Sequence, residues 1–383
     1  MLELTRRHTA TFQQGLRDAG IALAVLSDAD SIAYLAGFWG YLGVEFGRPT
    51  LLLVPQDGAP TVITPLLESE MVASMTWVED VRPWQDAGAA GWCTVLAKAL
   101  EQAGVAPAAE TSKLPAPVSA FLRERYGQQP LTDVAPLLGA QRMIKSREEL
   151  AIMRQAGEIG IAMVEAGRAA LGEGVPEYEV ALAIAAGGTR KAAGFLSDRG
   201  WEAFVSPTAH NLQVLHSGAH TSMVHRRANV KRLQRGDPVY MCFCNMINFK
   251  QYKLGFDREF FIGEAHDEHA RIYATTVAAQ RAALAAIRPG VAAEEPALAA
   301  NEVYRTAGFS PGYRTGRAIG VSFLEAPELK PGDRTSLQAG MTFAVDGGIT
   351  VAGEFGGRVG DSIVVTEDGY EYLTPYPKDL CVV

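Results

Sequence analysis

The chain has 383 residues and a net charge of −8, with 35 Lys and Arg against 43 Asp and Glu, and 48% of its residues are hydrophobic. This length exceeds what one hydrophobic core usually organises, so it predicts two domains, and the composition excludes a disordered chain. The acidic balance argues against nucleic acid or a membrane surface as a partner, because both attract chains rich in Lys and Arg, and it favours a small-molecule substrate.

Two further features predict a cytoplasmic protein. The four cysteines, Cys93, Cys242, Cys244 and Cys381, form neither CxxC pairs nor a disulfide-scaffold pattern, which favours a reducing compartment. The N-terminus lacks the apolar stretch of a secretory signal, and no uninterrupted apolar run reaches bilayer-spanning length.

The first third of the chain alternates strand-like and helical segments. Residues 23–26, 50–55 and 61–64 are apolar runs typical of strands, and residues 92–101 are typical of a helix. We therefore predict an α/β domain over residues 1–139, with a boundary near Gly139.

A second domain is predicted over residues 140–383. Ser146 and Glu149 have the spacing of a capping box, which satisfies free amides at a helix start. The helix that follows carries one apolar stripe, formed by Ile152, Ala156, Ile159, Met163, Ala166 and Ala170. A second helix is expected after residues 172–177, and residues 341–345 and 362–366 are typical of strands, so this domain is predicted to be α+β.

The small-residue run at 185–194 has two readings. It contains several glycines but lacks the order of a phosphate-binding loop and the strand that would have to precede it. We therefore expect a helix whose small residues allow close packing.

Several strings of the sequence together resemble one superfamily. They are residues 46–49, 143–146, 175–182, 217–218 leading to His225, 234–237, 313–320, 324–327, 340–341 and 356–361. In this order they resemble the creatinase and proline-aminopeptidase superfamily, whose C-terminal domain has the pita-bread fold. The resemblance implies a smaller N-terminal α/β domain, a C-terminal pita-bread catalytic domain and a homodimer.

The resemblance also places this chain in a metal-free, creatinase-like branch. Peptidase members hold two metal ions with two aspartates, a histidine and two glutamates, and the matching positions here are Cys242, about Gly255, Arg317, Asp346 and Gly360. One carboxylate, one thiol and one arginine do not make a dinuclear centre, because the arginine would repel the cations. We therefore expect no metal and no other cofactor.

Creatinase works without metal, and three residues match its catalytic pattern. His225 is the expected general acid/base, since histidine titrates near neutrality. Asp257 and Asp346 are expected to hold the cationic end of the substrate, or one of them to attack as a nucleophile, as ectoine hydrolase makes conceivable. The alternative for Asp257 is an ion pair with Arg258 or another arginine.

The same resemblance implies the substrate-binding residues. Arg48 and the nearby Phe46 match a segment that the neighbouring subunit of the dimer contributes, with the arginine receiving the substrate carboxylate. Arg317 or Arg358 is the candidate second carboxylate ligand, and Tyr252 matches a family tyrosine. The alternative for Arg358 is a salt bridge to Asp361 or Glu354.

Other polar residues of this region receive structural interpretations. Cys242 and Cys244 alternate on a strand and so face one side, where buried cysteines more often act as small hydrophobes than as nucleophiles. His210, His216 and His220 are expected to be polar loop residues with no catalytic role.

The sequence thus predicts a metal-independent hydrolase that cleaves a C–N bond in a small carboxylate-bearing guanidino, amidine or amide compound. One alternative is a metal-free lyase acting on a small zwitterionic carboxylate, with a His or Asp base abstracting a proton. Another is a non-catalytic binding module built on the same fold.

Overall fold

The computed structural model describes residues 1–40, 42–85, 91–127, 131–198, 204–208, 214–311 and 314–383. The chain forms two compact units, Met1–Arg142 and Met143–Val383. Gly139, where the sequence placed the boundary, lies three residues before this division, inside a helix that ends at Met143. Among the described residues, no helix combines the length and apolar character needed to cross a membrane.

Unit 1 is an α/β domain built on one five-stranded sheet. Its helices are α1 Leu2–Asp18, α2 Ala29–Ala36, α3 Leu42–Phe46, α4 Ser69–Met75, α5 Trp92–Ala103, α6 Ala116–Tyr126 and α7 Ala135–Met143. Its strands are β1 Leu23–Leu26, β2 Leu51–Pro55, β3 Thr61–Pro65, β4 Asp80–Trp84 and β5 Ala108–Ala109, in the order β4-β3-β2-β1-β5. The three strands and the helix predicted from apolar patterning are confirmed.

The first helix of unit 2 shows how the sequence sets its start and its packing face. Helix α8, Arg147–Ala170, begins with the predicted capping box: Ser146 Oγ accepts from the Glu149 amide, and the Glu149 carboxylate accepts from the Ser146 amide at 2.7 Å. Of the predicted stripe, Ile152, Ala156, Ile159 and Met163 are buried, and the two C-terminal alanines are half-buried.

The small-residue run lies inside the next helix, α9, Glu177–Asp198. A Cβ built on Gly187 would lie 2.6 Å from Ala166 Cβ, and one on Gly188 would lie 2.7 Å from Met163 Cγ. Only glycine allows α8 to approach this closely, so the close-packing interpretation is confirmed.

Unit 2 is organised around an eight-stranded sheet. The remaining helices are α10 Asp267–Ala286 and α11 Glu294–Thr306, and the strands are β6 Val214–Ser217, β7 Pro238–Cys242, β8 Asn248–Phe249, β9 Tyr252–Lys253, β10 Asp257–Phe261, β11 Gly316–Ala318, β12 Glu325–Leu329, β13 Thr342–Val351, β14 Phe355–Val365 and β15 Tyr370–Tyr372. The main sheet has the order β12-β11-β13-β14-β10-β7-β6, β15 adds to β14, and β8 pairs with β9.

The two faces of this sheet differ in character. Phe343, Val345 and Ile363 belong to the same hydrophobic core as Ile272 and Val277 of α10. Because successive residues of a strand project to opposite faces, Asp346 faces away from this core, as do the residues paired with it on neighbouring strands. That second face carries the polar residues described below.

Candidate functional site

One row of residues crosses four neighbouring strands on the polar face of the sheet. Asp257 of β10 lies opposite Cys242 of β7 and also opposite Gly360 of β14. Gly360 in turn lies opposite Asp346 of β13. Residues directly opposite one another in antiparallel strands share a face, so the register brings Cys242, Asp257 and Asp346 to one side.

Arg317 is the cation of this group. It lies on β11 opposite Ala344, two residues from Asp346, and its guanidinium forms an ion pair with the Asp346 carboxylate. Its Cζ also lies 4.3 Å from the centre of the Phe323 ring. Burial opposes the charged guanidinium, but the charge of Asp346 outweighs this effect and raises the pKa of Arg317.

Asp257 is held in a different environment from Asp346. Its side chain is buried and its Oδ1 accepts no hydrogen bond within the described part of the chain. Burial raises the pKa of Asp257 well above its usual range, and Cys244 and Asp346 add to this effect. These effects favour the protonated form of Asp257, which can donate a proton.

The proposed ion pair of Asp257 with Arg258 is wrong, because the two side chains leave β10 on opposite faces. The Arg258 guanidinium donates at 2.6 Å to Asp361, which is also 2.8 Å from Lys378 Nζ. Its contact with Asp257 is a hydrogen bond of 2.7 Å to the backbone carbonyl.

Gly360 allows the two carboxyl groups to approach each other. A Cβ at this position would lie 2.5 Å from Asp257 Oδ2 and 2.9 Å from Asp346 Oδ1. Both carboxyl groups therefore converge on the space above one glycine.

We expect Gly360→Ala to disrupt this convergence. The added methyl overlaps the carboxyl group of the buried Asp257 and crowds that of Asp346, and overpacking of this kind costs about 1–3 kcal/mol. Gly348→Ala is the matched control, since its Cβ would meet only ordinary contacts, the nearest at 3.6 Å. Chemical denaturation of the two variants tests this, and equal stabilities would contradict the crowding at Gly360.

The residues at the expected metal positions do not fit a two-metal centre. Gly255 and Gly360 offer no side-chain ligand, and the guanidinium of Arg317 places a positive charge against Asp346. The cysteine that faces Gly255 is Cys244, whose Sγ would lie 3.6 Å from a Cβ built there. No step of a two-metal mechanism follows from this set of side chains.

A second row of polar side chains lies two residues along the same strands. His216 of β6 lies opposite Tyr240 of β7, which lies opposite Glu259 of β10. Burial lowers the pKa of His216 to about 4 and raises that of Glu259 to about 8. The expectation that His216 is a polar loop residue is wrong, because it is a fully buried strand residue.

Arg358 adjoins this second row. Its backbone amide donates to Glu259 Oε2 at 3.1 Å, its guanidinium donates to Thr350 Oγ1 at 2.6 Å, and its Cζ lies 5.8 Å from the centre of the Tyr240 ring. The suggested salt bridge to Asp361 or Glu354 is wrong, because Arg358 forms no ion pair within the residues that the structure covers.

Two other histidines near the site in sequence, His225 and His220, lie outside the two rows. His225 is exposed on a turn, and the carbonyl of the preceding residue, Val224, is 3.5 Å from His216 Nε2. His220 is half-buried on the short helical turn Gly218–Ser222 that precedes it. His210 lies outside the described residues.

Tyr252, Phe46 and Arg48 lie apart from the two rows. The buried Tyr252 hydroxyl donates at 2.9 Å to Glu149, at the start of α8. In unit 1, Phe46 ends α3 with 65% of its surface exposed, and the Arg48 amide donates to the Leu42 carbonyl at 3.2 Å.

Comparison with known proteins gives two family matches and several full-length relatives. The sequence model described as metallopeptidase family M24 matches residues 151–367, and that of the creatinase/prolidase N-terminal domain matches residues 9–144. Agropine synthesis cyclase of Rhizobium rhizogenes is 31% identical over 381 residues, covering 95% of this chain and 94% of that protein. The probable dipeptidase PepE of Mycobacterium bovis is 31% identical over 394 residues, covering 100% and 97%.

A solved structure agrees with these matches. The crystal structure of dipeptidase PepE from Mycobacterium ulcerans is 28% identical, covers 100% of this chain and 98% of its own, and superposes with a TM-score of 0.81.

Proposed function

We propose that this chain, which belongs to the metallopeptidase family M24, is a metal-independent hydrolase of small molecules. Its reaction is cleavage of a C–N bond in a small carboxylate-bearing compound. The observation that carries this proposal is the pair of carboxyl groups above Gly360, one buried with a raised pKa and the other ion-paired with Arg317.

The different environments of the two carboxyl groups suit them to different roles. Two acids whose surroundings favour opposite protonation states can serve as the acid and the base of one reaction. Asp257, which carries a proton, donates it to the leaving nitrogen. Asp346, paired with Arg317, faces the scissile carbon, where it activates water or attacks as a nucleophile.

His225 supplies a further proton-transfer group from the rim of the site. It lies on the turn next to Val224, and Val224 contacts His216 in the second row. An exposed imidazole can exchange protons with water and return one to the site between turnovers.

The charge of the site narrows the class of substrate. Burial raises the pKa of Asp257 and Arg317 offsets the charge of Asp346, so the carboxyl groups attract a cation less than two free carboxylates would. An amide or a neutral amidine suits this site better than a guanidinium. Arg358, which has no carboxylate partner among the described residues, is the candidate ligand for the substrate carboxylate.

Arg48 and Phe46 complete the proposed site from a neighbouring subunit. Phe46 is an exposed aromatic two residues from Arg48, and exposed aromatics and arginines are enriched at interfaces. In a homodimer this segment adds a second carboxylate ligand. Tyr252 acts as a support, since its hydroxyl is bonded to Glu149.

Ring closure is a second candidate, favoured by the likeness to agropine synthesis cyclase. Closing a ring with loss of water is the reverse of hydrolytic ring opening, so one acid–base pair serves both directions. Reaction in labelled water separates the outcomes: hydrolysis incorporates the label in the product, whereas ring closure with loss of water, or an elimination by a lyase, does not.

The metal-independence is tested by exhaustive chelation. We expect turnover to persist after chelation, and His225→Ala to lower kcat by about a hundredfold, the lower end of the range for acid–base groups. An absolute requirement for added manganese or cobalt would overturn the proposal. If the purified protein neither binds nor turns over any small carboxylate in a thermal-shift screen, the non-catalytic module replaces it.

A further inference from the structure

Three side chains of the polar face bring soft and hard donor atoms together. The Sγ atoms of Cys242 and Cys244 and one carboxylate oxygen of Asp257 all lie within 4.8 Å of one another. Ligands around a tetrahedral zinc ion lie at about 2.3 Å for sulfur and about 2.0–2.2 Å for oxygen, so the donor atoms of one site are about 3.3–3.8 Å from one another.

A second observation points independently to a missing partner at this place. Asp257 is 4% exposed, and its Oδ1 is buried without a hydrogen bond in the described part of the chain. Asp346 Oδ1 is likewise buried without a partner, and it faces the same space above Gly360 as the Asp257 carboxyl group. Buried polar atoms are nearly always satisfied, so an unpartnered oxygen on each of two neighbouring carboxyl groups indicates a site that accepts a ligand.

We infer that Cys242, Cys244 and Asp257 bind one thiophilic divalent cation, with zinc as the best match. Thiolates select zinc and other soft ions over manganese or magnesium. Binding releases the two thiol protons and the proton of Asp257, because each group coordinates in its deprotonated form.

Arg317 limits this site to a single ion. Its Nη2 lies 3.5 Å from Cys244 Sγ, and its Nη1 pairs with the other oxygen of Asp346. The guanidinium offsets part of the negative charge that two thiolates and two carboxylates bring together, and it occupies the side where a second cation would sit.

This inference concerns ion binding and stands without the proposed hydrolase activity. Where that activity holds, the ion takes the oxygen of Asp257 that donates the proton, so zinc is an inhibitor. Chelation then leaves turnover unchanged or raises it.

The test is a direct binding measurement on the full-length protein, reduced and stripped of metal. We expect one equivalent of Zn²⁺ by calorimetry, and with Co²⁺ in its place a thiolate-to-cobalt charge-transfer band in the near ultraviolet. Cys242→Ala and Cys244→Ala should each remove this band and weaken zinc binding by about a hundredfold or more, since loss of even a supporting group costs 10–100-fold.

Cys93→Ala and Cys381→Ala are the matched controls, because these cysteines belong to no such cluster. They should keep the band and the affinity, and thermal unfolding of all four variants shows which are folded. Absence of stoichiometric binding to the folded wild-type protein, or binding that survives in both cluster variants as an adventitious surface ion only, would overturn the inference. Stoichiometric zinc binding, together with no hydrolytic turnover by the metal-free protein, would instead refute the proposed function alone.

Discussion

Replacement of Asp257 by asparagine should lower kcat by about 10²–10⁴-fold, the usual contribution of a positioned acid or base. Asparagine keeps the size and a hydrogen-bond donor, but it has no proton to transfer to a leaving nitrogen. The effect should appear in kcat more than in KM, because the lost interaction develops in the transition state.

The pH dependence gives a second measurement of the same role. Burial raises the pKa of Asp257, and the proton donor must be protonated, so activity should fall as pH rises through that raised value. The stability contribution has the same sign, because a group whose pKa is raised on folding stabilises the native state at low pH and loses this contribution as pH rises through its folded pKa. In Asp257→Asn, both declines with rising pH, that of activity and that of the stability contribution, should be absent.

Glu259→Gln is the matched control for this experiment. Glu259 lies two residues along β10 on the same face, is also buried, and has a pKa raised by burial to about 8. Glutamine mimics its neutral form and can still accept the hydrogen bond from the Arg358 amide. If both variants lost activity equally, burial of a polar group on this face, and not proton donation by Asp257, would be the cause.

The fold could be predicted from the sequence largely because local signals and superfamily strings agreed. Strands at residues 23–26 and 61–64 and the capping box at Ser146 follow from apolar runs and cap chemistry alone. The α/β N-terminal domain followed by a C-terminal pita-bread domain is confirmed by the two family matches and the solved dipeptidase structure.

The site could be predicted only in part, because its composition depends on strand register. Asp257 and Asp346 were identified by their positions in motifs, and the structure brings them together. His216 and Glu259 were missed, although Tyr240 and Cys242 alternate on one strand and Asp257 and Glu259 on the next. That alternation places each pair on one face, but no sequence signal shows which strands are neighbours.

The register also explains why Arg258, which follows Asp257 directly, does not neutralise it. An arginine adjacent in sequence is the obvious partner, yet alternation sends its side chain to the opposite face. There it pairs with Asp361 and donates to the carbonyls of Gly360 and Tyr376. The raised pKa of Asp257 therefore depends on Arg258 having another carboxylate to bind.

Arg258→Met should lower the free energy of unfolding by about 3–5 kcal/mol, because it leaves the fully buried Asp361 without its main partner. Lys378 remains 2.8 Å from Asp361 and offsets part of the loss, whereas the hydrogen bonds from Arg258 to the carbonyls of Gly360 and Tyr376 are lost. Denaturant unfolding of the wild type and the variant measures the difference.

Arg154→Met is the control for that measurement, since Arg154 forms an ion pair with Glu371 at 2.9 Å in which both side chains are about half exposed. Exposed pairs contribute at most about 1 kcal/mol, so this variant should unfold almost like the wild type. If Arg258→Met were equally mild, the Lys378–Asp361 pair would be sufficient to hold β10 against β14. The positions of Asp257 and Asp346 beside Gly360 would then depend only on the backbone hydrogen bonds between the strands. Asp257→Asn would in that case test the role of these carboxyl groups more directly than Arg258→Met.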